Sequence, residues 1–342
     1  MTVPFDVSVV IPTCNRRERV LAQLRRLGGS THPVREVLVV DSSDQKLAPA
    51  DLTPFASLPV RYIEARKSVC IQRNVGIAAA SSPWILLLDD DNELPPDYLA
   101  RLAAHVAAHP EAGAVSGLII EGLDGAWQSQ FPETSDLVLL WKFLFKLGLW
   151  GEIRPRGPLG RALAARYRRA GNHLAKSGWP VIVAMDAPFF RVPIYTLGAS
   201  LVKREWLLAS PYDETLESHG LGDNYGVAIG FPGDGIHVLA DVQVRHHRAP
   251  ENRLAAASAA ERRMFALDYF IRTRRPLAAS GVRPGWFLWS LVGGAVLHGA
   301  GGNGAMARSF GRTLWQVVRG RNPYLDGRGA AAFEAGKADA SS

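Results

Sequence analysis

At 342 residues, with 47% apolar and 21% charged side chains, the chain is long and apolar enough to bury a large core, which excludes intrinsic disorder. Two cysteines, Cys14 and Cys70, exclude a disulfide framework and point to free thiols in a reducing compartment. The net charge of +7 is unevenly placed: Ile153 to Met185 holds six Arg and one Lys without an acid, and Tyr269 to Leu325 holds eight Arg without an acid. Such stretches suit anionic lipid, phosphorylated substrate or nucleic acid, or form solvated helix faces.

The chain opens without a basic n-region, so no signal peptide is expected, and no apolar stretch reaches the ~20 residues of a spanning helix. Val7–Thr13 reads as an apolar strand. Arg16–Leu27 carries Val20, Leu21, Leu24 and Leu27 at helical spacing and stops at Gly28-Gly29. Val34–Asp41 and Val60–Ala65 read as strands, and Ser68–Ala80 as a helix ended before Pro83. Trp84–Leu88 is a dense apolar run of the kind that fills the middle of a parallel sheet. Pro95–His109 reads as a helix and Ala114–Glu121 as another strand. The alternation predicts an α/β fold with a doubly wound, mostly parallel sheet flanked by helices.

After Gly122 the pattern changes. Ser135 and Asp136 can cap a helix over Leu137–Trp150, with Lys142 and Lys146 on one face, and the basic segment follows. Val181–Met185, Gly198–Lys203 and Val238–His246 are strand-like. From Ala255 a helical C-terminal extension is expected, with a short apolar block in Pro284–Ala300 and an amphipathic turn at Arg312–Val318; Ala330–Ser342 reads as frayed. The expected organisation is an α/β half over 1–122, a second half of the same domain over 123–250 with a basic amphipathic insertion at 135–180, and the extension over 251–342.

The strand Trp84–Leu88 runs into Asp89-Asp90-Asp91. At the C-terminal edge of an open α/β sheet, where ligands bind, an i, i+2 pair on an extended chain points Asp89 and Asp91 to one side and Asp90 to the other. Hard oxygen ligands of this kind suit Mg²⁺ or Mn²⁺ carrying a diphosphate. A solvated acidic turn is the alternative. No G-x-G-x-x-G follows the first strand and no Walker A sequence occurs, which argues against dehydrogenase and P-loop chemistry.

Four stretches, taken in order, resemble glycosyltransferase family 2 with its GT-A fold: VSVVIPTCNR (Val7–Arg16), VLVVDSSD (Val37–Asp44), RNVGIAAASSPWILLLDDD (Arg73–Asp91) and GASLVKREWL…YDETL…GLGDN (Gly198–Asn224). The resemblance implies an inverting, metal-dependent transferase of the hexosyltransferase type that uses a nucleotide-diphosphate sugar. Pro12, Thr13 and Asn15 match the nucleotide-contacting end of the first strand. Asp41 matches the carboxylate that reads base or ribose, and Arg73 the arginine of the R-N-x-G stretch. Asp89 and Asp91 match the DxD pair, the first near ribose and the last on the metal, with Asp90 an auxiliary contact. His246 matches a histidine that completes the metal or diphosphate site in some members; a satisfied surface histidine is the alternative.

Asp223, in Gly220-Leu221-Gly222-Asp223-Asn224, stands where members carry the acidic catalytic base, although the second acid of that pair is Asn224 here. Asp234 is the reserve among Glu205, Asp213, Glu214, Glu217, Asp234 and Asp241. The implied partners are a nucleotide-sugar donor and a carbohydrate, cell-envelope or lipid-linked acceptor, with no nucleic acid. Leu137–Trp150 and Trp286–Leu297 further suggest a cytoplasmic chain held peripherally on the inner face of a membrane, unless both stretches pack internally or in a dimer. A sugar-phosphate nucleotidyltransferase and a non-catalytic carbohydrate or lipid-carrier binding relative remain the competing readings.

Overall fold

The computed structural model describes residues 5–123, 126–129, 133, 135–216, 220–233, 235–247 and 254–327. The chain divides into two compact units, one of Met1–Ser129 with Asp186–Ala249 and one of Gln130–Met185 with Pro250–Ser342.

The first unit is built on a single sheet. Its elements are β1 (Val7–Thr13), α1 (Arg17–Gly28), β2 (Glu36–Asp41), β3 (Val60–Glu64), α2 (Val69–Ala79), β4 (Trp84–Leu88), β5 (Asn92–Glu93) and α3 (Tyr98–Ala108). They continue with β6 (Ala114–Leu123), β7 (Ala126–Gln128), β8 (Phe189–Val192), β9 (Ala199–Lys203), α4 (Arg204–Ala209), α5 (Asp223–Ala228) and β10 (Ile236–His246). The main path runs β8-β10-β6-β9-β4-β1-β2-β3, with β5 on β10 and β7 on β6. β1, β2, β3 and β4 pair in parallel, as do β6 and β10. β9 runs antiparallel between β4 and β6, and β8 antiparallel on β10. The expected mostly parallel α/β sheet is therefore present.

Residue choice explains the layering. Every residue of β1 and β2 is buried, which requires cover on both faces, and β-branched and leucine side chains supply the packing. β3 at the edge is half-exposed instead. Ser68 caps α2 by accepting a hydrogen bond from the Ile71 amide. Gly76 brings that helix close to the sheet, since a Cβ there would strike Val10 and press on Val40. α3 begins at Tyr98, three residues later than expected, because Pro95 and Pro96 form the turn before it and the Tyr98 amide bonds the Pro95 carbonyl.

In the second unit the helix expected over Leu137–Trp150 spans only Asp136–Phe145. Lys146 adopts a left-handed conformation (φ 55°), the Leu147 amide turns back to the Lys142 carbonyl, and Leu149–Trp150 becomes a short strand. Lys142 and Lys146 therefore do not share a helix face. Lys142 pairs with Glu133 at 2.9 Å, while Lys146 caps the helix end through the Phe143 carbonyl. The basic segment forms an amphipathic helix, Pro158–Ala170, that buries Leu163, Ala164 and Tyr167 and exposes its arginines. The Asp136 carboxylate holds its start, accepting from the Arg156, Gly157 and Gly160 amides.

The helical C-terminal extension is present as Ala256–Thr273, Arg275–Ala279, Pro284–Ala300 and Gly304–Val318. Trp141 donates to the Gly293 carbonyl at 2.9 Å and Phe145 stacks on Trp289, so much of both apolar stretches packs internally. Leu137, Leu144, Trp286 and Trp289 remain exposed. Among the described residues no helix is long and apolar enough to cross a membrane. The expected frayed tail at 330–342 lies outside the described residues.

Candidate active site

Three neighbouring chain segments leave the C-terminal edge of the first unit's sheet and lock together. At the end of β1, Thr13 donates its hydroxyl to Asp90 Oδ2 at 2.9 Å, and Arg16 donates to Asp90 Oδ1 at 2.8 Å. At the end of β2, Asp41 is closed in: its Oδ1 accepts from the Ser43 amide at 2.7 Å and from the Ser43 hydroxyl, and its Oδ2 accepts from Tyr62 at 2.7 Å. Asn15, held at φ 57°, ties the first loop to the second through the Ser43 hydroxyl and both the amide and carboxylate of Asp44. Pro12 is buried in β1 opposite Val40. Gln72 donates to the Thr13 and Val40 carbonyls, pinning α2 against both strand ends.

The acidic run is a turn, not an extended tail. β4 ends at Leu88, the Asp89 amide bonds the Gly198 carbonyl at 2.7 Å, and the Asn92 amide returns to the Asp89 carbonyl at 3.2 Å. Gln23 donates to the Asp89 and Asn92 carbonyls from beneath, and Asn92 donates to the Gly198 carbonyl. Gly198 is required here, because a Cβ would collide with the Asp89 carboxylate. Asp90 does turn away, into the protein. Burial raises its carboxyl to about 6, with Arg16 and the Thr13 hydroxyl opposing that rise and the charge of Asp91 adding to it. Asp89 and Asp91 have different partners, so the extended-chain argument does not describe how they are held.

Asp89, partly exposed, joins a charge cluster whose other members are buried. The Arg73 side chain, 4% exposed, bonds Asp89 Oδ1 at 2.6 Å through Nη2 and Asp223 Oδ2 through Nη1, and lies 5.0 Å from the Tyr212 ring centre. Burial works against the Arg73 charge, but Asp89, Tyr212 and Asp223 around it hold the guanidinium firmly protonated. Burial pushes the Asp223 carboxyl above its ordinary value; Arg73 and the Asn224 amide, 2.6 Å from Oδ1, oppose that push, and Asp89 adds to it. Asp223 starts α5 after two glycines in left-handed conformations, Gly220 (φ 57°) and Gly222 (φ 98°). A Cβ at Gly220 would strike Val69 and crowd Asp223 Oδ2. Asn74 staples the Tyr212–Glu214 segment by bonds to the Tyr212 amide and carbonyl and to Glu214.

Asp91 belongs to a second cluster. β5 pairs with the end of β10, and the His247 amide bonds the Asp91 carbonyl, which brings His246 to the acidic turn. His246 Nε2 stands 3.7 Å from Asp91 Oδ1, and its Nδ1 is 3.0 Å from Glu121 Oε1 at the adjacent register position of β6. Burial opposes the His246 charge, yet bonding to Asp91 and Glu121 raises the ring to about 9. Arg16 stands 3.7 Å from Asp91 Oδ2.

Among the described residues no group of three or more His, Cys, Asp or Glu side chains is arranged to hold a metal ion. The donor set nevertheless fits a diphosphate-carried cation. Asp91 offers hard oxygen, His246 turns its second nitrogen toward it, and Glu121 orients the ring from behind in the carboxylate–histidine manner of metal sites.

Sequence reasoning missed Glu121, Tyr212, Gln23 and Gln72. Glu121 carried a signal, as the acid closing the apolar run AVSGLIIE. Of the alternative acids, Asp241 pairs with Arg101 on the surface and Glu214 with Asn74, while Glu217 and Asp234 lie outside the described residues.

Comparison with known proteins finds a family model that matches the N-terminal part of the chain. Residues 8–157 match the model of glycosyl transferase family 2. The resemblance read from the motifs is borne out over that stretch. A succinoglycan biosynthesis protein, ExoO, of Rhizobium meliloti is 29% identical over 130 residues, 37% of this chain and 37% of its own length. An uncharacterized glycosyltransferase of Haemophilus influenzae is 28% identical over 106 residues, 30% of this chain and 35% of its own length. The matched stretch thus spans little more than a third of these relatives.

Among solved structures, GalNAc-T7 with UDP, GalNAc and Mn²⁺ superposes with a TM-score of 0.53 at 17% identity, covering 82% of this chain and 52% of that one. S. aureus TarS 1-349 in complex with UDP-GlcNAc superposes at 0.52 and 14% identity, covering 92% of each chain. The expected GT-A-type α/β architecture is that of these neighbours.

Proposed function

We propose that the chain is an inverting glycosyltransferase that moves a sugar from a nucleotide-diphosphate sugar to an acceptor hydroxyl. The observation that carries this reading is the buried Arg73, which joins Asp89 of the acidic turn to Asp223 at the C-terminal edge of the sheet.

In this reading the nucleotide lies across the ends of β1 and β2, beside Thr13, Asn15 and Asp41, and Asp89 faces the donor ribose. Asp91 and His246 would hold Mg²⁺ or Mn²⁺. Held there, such an ion would supply Lewis-acid neutralisation of the diphosphate. Asp223 takes the proton of the acceptor hydroxyl while that oxygen bonds the anomeric carbon. The bond from that carbon to the diphosphate oxygen breaks on the opposite face, and the nucleoside diphosphate leaves with its electron pair. Burial supports Asp223 as a base by raising its proton affinity, and Arg73 fixes its orientation. Glu121 would position the His246 ring.

For the acceptor, a cell-envelope polysaccharide or lipid-linked carbohydrate agrees with the basic, partly apolar second unit. Peripheral attachment to the inner face of a membrane is part of the same reading. The test is turnover of a panel of UDP-, GDP- and dTDP-sugars with and without Mn²⁺. The account expects slow hydrolysis of one donor class that requires the metal. Binding without turnover of any donor would favour a non-catalytic carbohydrate-binding relative, and release of pyrophosphate from a nucleoside triphosphate and a sugar phosphate would favour a nucleotidyltransferase.

A further inference from the structure

In the second unit, three cations gather around two aromatic rings. Lys146 Nζ lies 4.3 Å from the centre of the Phe143 ring and 5.7 Å from that of Trp286. Arg166 stands 5.2 Å from the Phe143 centre, and Lys176 5.9 Å from that of Trp286. The three cations thus share two rings. Arg166 and Lys176 lie in Ile153 to Met185, a stretch without Asp or Glu, and among the described residues none of the three forms an ion pair with a carboxylate. Lys146 feels the crowding: burial and the charges of Lys176 and Arg166 all lower its proton affinity.

The cluster is held firmly. Lys146 has its left-handed backbone, its carbonyl accepts from the Ser177 hydroxyl, and the Lys176 carbonyl accepts from the Arg283 amide just before Trp286. Beside it the surface is apolar and open. Leu144 is 50% exposed, Trp289 45% and Trp286 37%. Trp289 stacks on Phe145, the residue before Lys146, and its indole N–H bonds the Leu144 carbonyl.

We propose that Lys146, Arg166 and Lys176 form a binding site for the phosphate of an anionic bilayer lipid, with Leu144, Trp286 and Trp289 entering the interface beside it. Like charges held close without counter-ions are stabilised by a bound anion, and a phosphate can accept from all three. The exposed tryptophans and leucine select a phosphate that carries an apolar body, because a free phosphate or sugar phosphate gains nothing from them. Single-stranded nucleic acid is disfavoured, since base stacking needs open ring faces and Phe143 is already covered by Lys146 and Arg166. This site rests on the peripheral-attachment part of the proposed function and names how attachment occurs.

The test uses the full chain and two independent measurements. The first is flotation with vesicles of phosphatidylcholine alone or with phosphatidylglycerol. The second is calorimetric titration with monomeric dihexanoyl phosphatidic acid and, separately, inorganic phosphate. Wild type should float only with phosphatidylglycerol vesicles and bind the short-chain lipid in preference to phosphate. Lys146→Gln/Lys176→Gln should weaken vesicle binding by about thirtyfold, each lysine near an anionic surface contributing about fivefold.

Arg168→Gln/Arg169→Gln removes the same charge from the same segment and should do far less, while Lys146→Arg/Lys176→Arg should retain binding. If wild type floats and the Gln pair floats as well, the site is wrong and attachment stands. If wild type binds the short-chain lipid but no vesicle, the bilayer source is overturned. Equal affinity for inorganic phosphate overturns the lipid assignment, and absence of all binding overturns both the site and the attachment.

Discussion

Two clusters, one in each unit, treat charge in opposite ways. At the sheet edge of the first, each cation meets carboxylate: Arg16 with Asp90, Arg73 with Asp89 and Asp223, His246 with Asp91 and Glu121. In the second, Lys146, Arg166 and Lys176 meet aromatic faces instead. The difference separates two ways of receiving a phosphate. The sheet edge of the first unit is charge-balanced and acid-rich, which suits the proposed entry of a diphosphate with a divalent cation. The cluster in the second has no carboxylate partner and, as proposed, would take a phosphate without a metal.

The comparison can be broken most forcefully at Asp223. Asp223→Asn should lower transfer by a factor on the order of 10²–10⁴, the usual share of a general base. Because burial raises the Asp223 proton affinity, the acidic limb of kcat/KM should lie above the ordinary aspartate range and vanish in the variant. A normal rate with an unchanged pH profile would remove Asp223 from the reaction.

The next largest effect is on stability. Arg73→Met leaves the buried Asp223 and the partly exposed Asp89 without their cation, a change that costs about 3–5 kcal/mol. Urea unfolding should show that loss. The double variant Arg73→Met/Asp223→Asn should recover part of it, because one uncompensated charge is gone. Strict additivity of the two changes would mean that the pair is not coupled.

Glu36 extends the comparison to a balanced carboxylate away from the site. It accepts from Ser8, from the amide and hydroxyl of Ser81, and from Arg61. Burial alone would raise its carboxyl, but the Ser81, Arg61 and Ser8 hydrogen bonds bring it down to about 2 from 4.5. A depressed carboxyl stabilises the fold above its unfolded value near 4.5, and that stabilisation is lost as pH falls through about 2. Wild type should therefore lose stability steeply across that window, and Glu36→Gln should start lower and flatten the slope.

The smallest effect sharpens the contrast within the second unit. Lys142→Gln breaks the pair with Glu133 and should cost up to about 1 kcal/mol. Lys146→Gln should change stability by less than about 0.5 kcal/mol, since relief of repulsion offsets loss of its bond to the Phe143 carbonyl. A large loss at Lys146 would make it a structural residue.

Much of the first unit was legible because its signals are local. VSVVIPT and WILLL carry strand and burial in their composition, and the acids closing β2 and β4 mark the sheet edge. The joining of Arg73 to Asp223 was not legible as a contact, because 150 positions separate them and only the sheet brings them together. The turn at Asp89-Asp90-Asp91 was misread as extended, since what bends it is Gln23 and the Gly198 carbonyl from remote segments. In the second unit the apolar period of Leu137–Trp150 pointed past the true helix end, because nothing in Lys146 itself announces a left-handed residue. Pro158–Ala170 lay within a segment read as basic and amphipathic but was not singled out as a helix, its buried stripe of Leu163, Ala164 and Tyr167 being narrow.

The central claim is that the acidic turn receives a nucleotide sugar with a metal while Asp223 serves chemistry alone. Side-by-side calorimetric titration of wild type, Asp91→Asn and Asp223→Asn with the active nucleotide sugar and Mn²⁺ tests it most directly. The account predicts that Asp223→Asn binds the donor nearly as wild type does and that Asp91→Asn loses metal-dependent binding while remaining folded. Donor affinity in Asp91→Asn equal to wild type at limiting Mn²⁺ would contradict it.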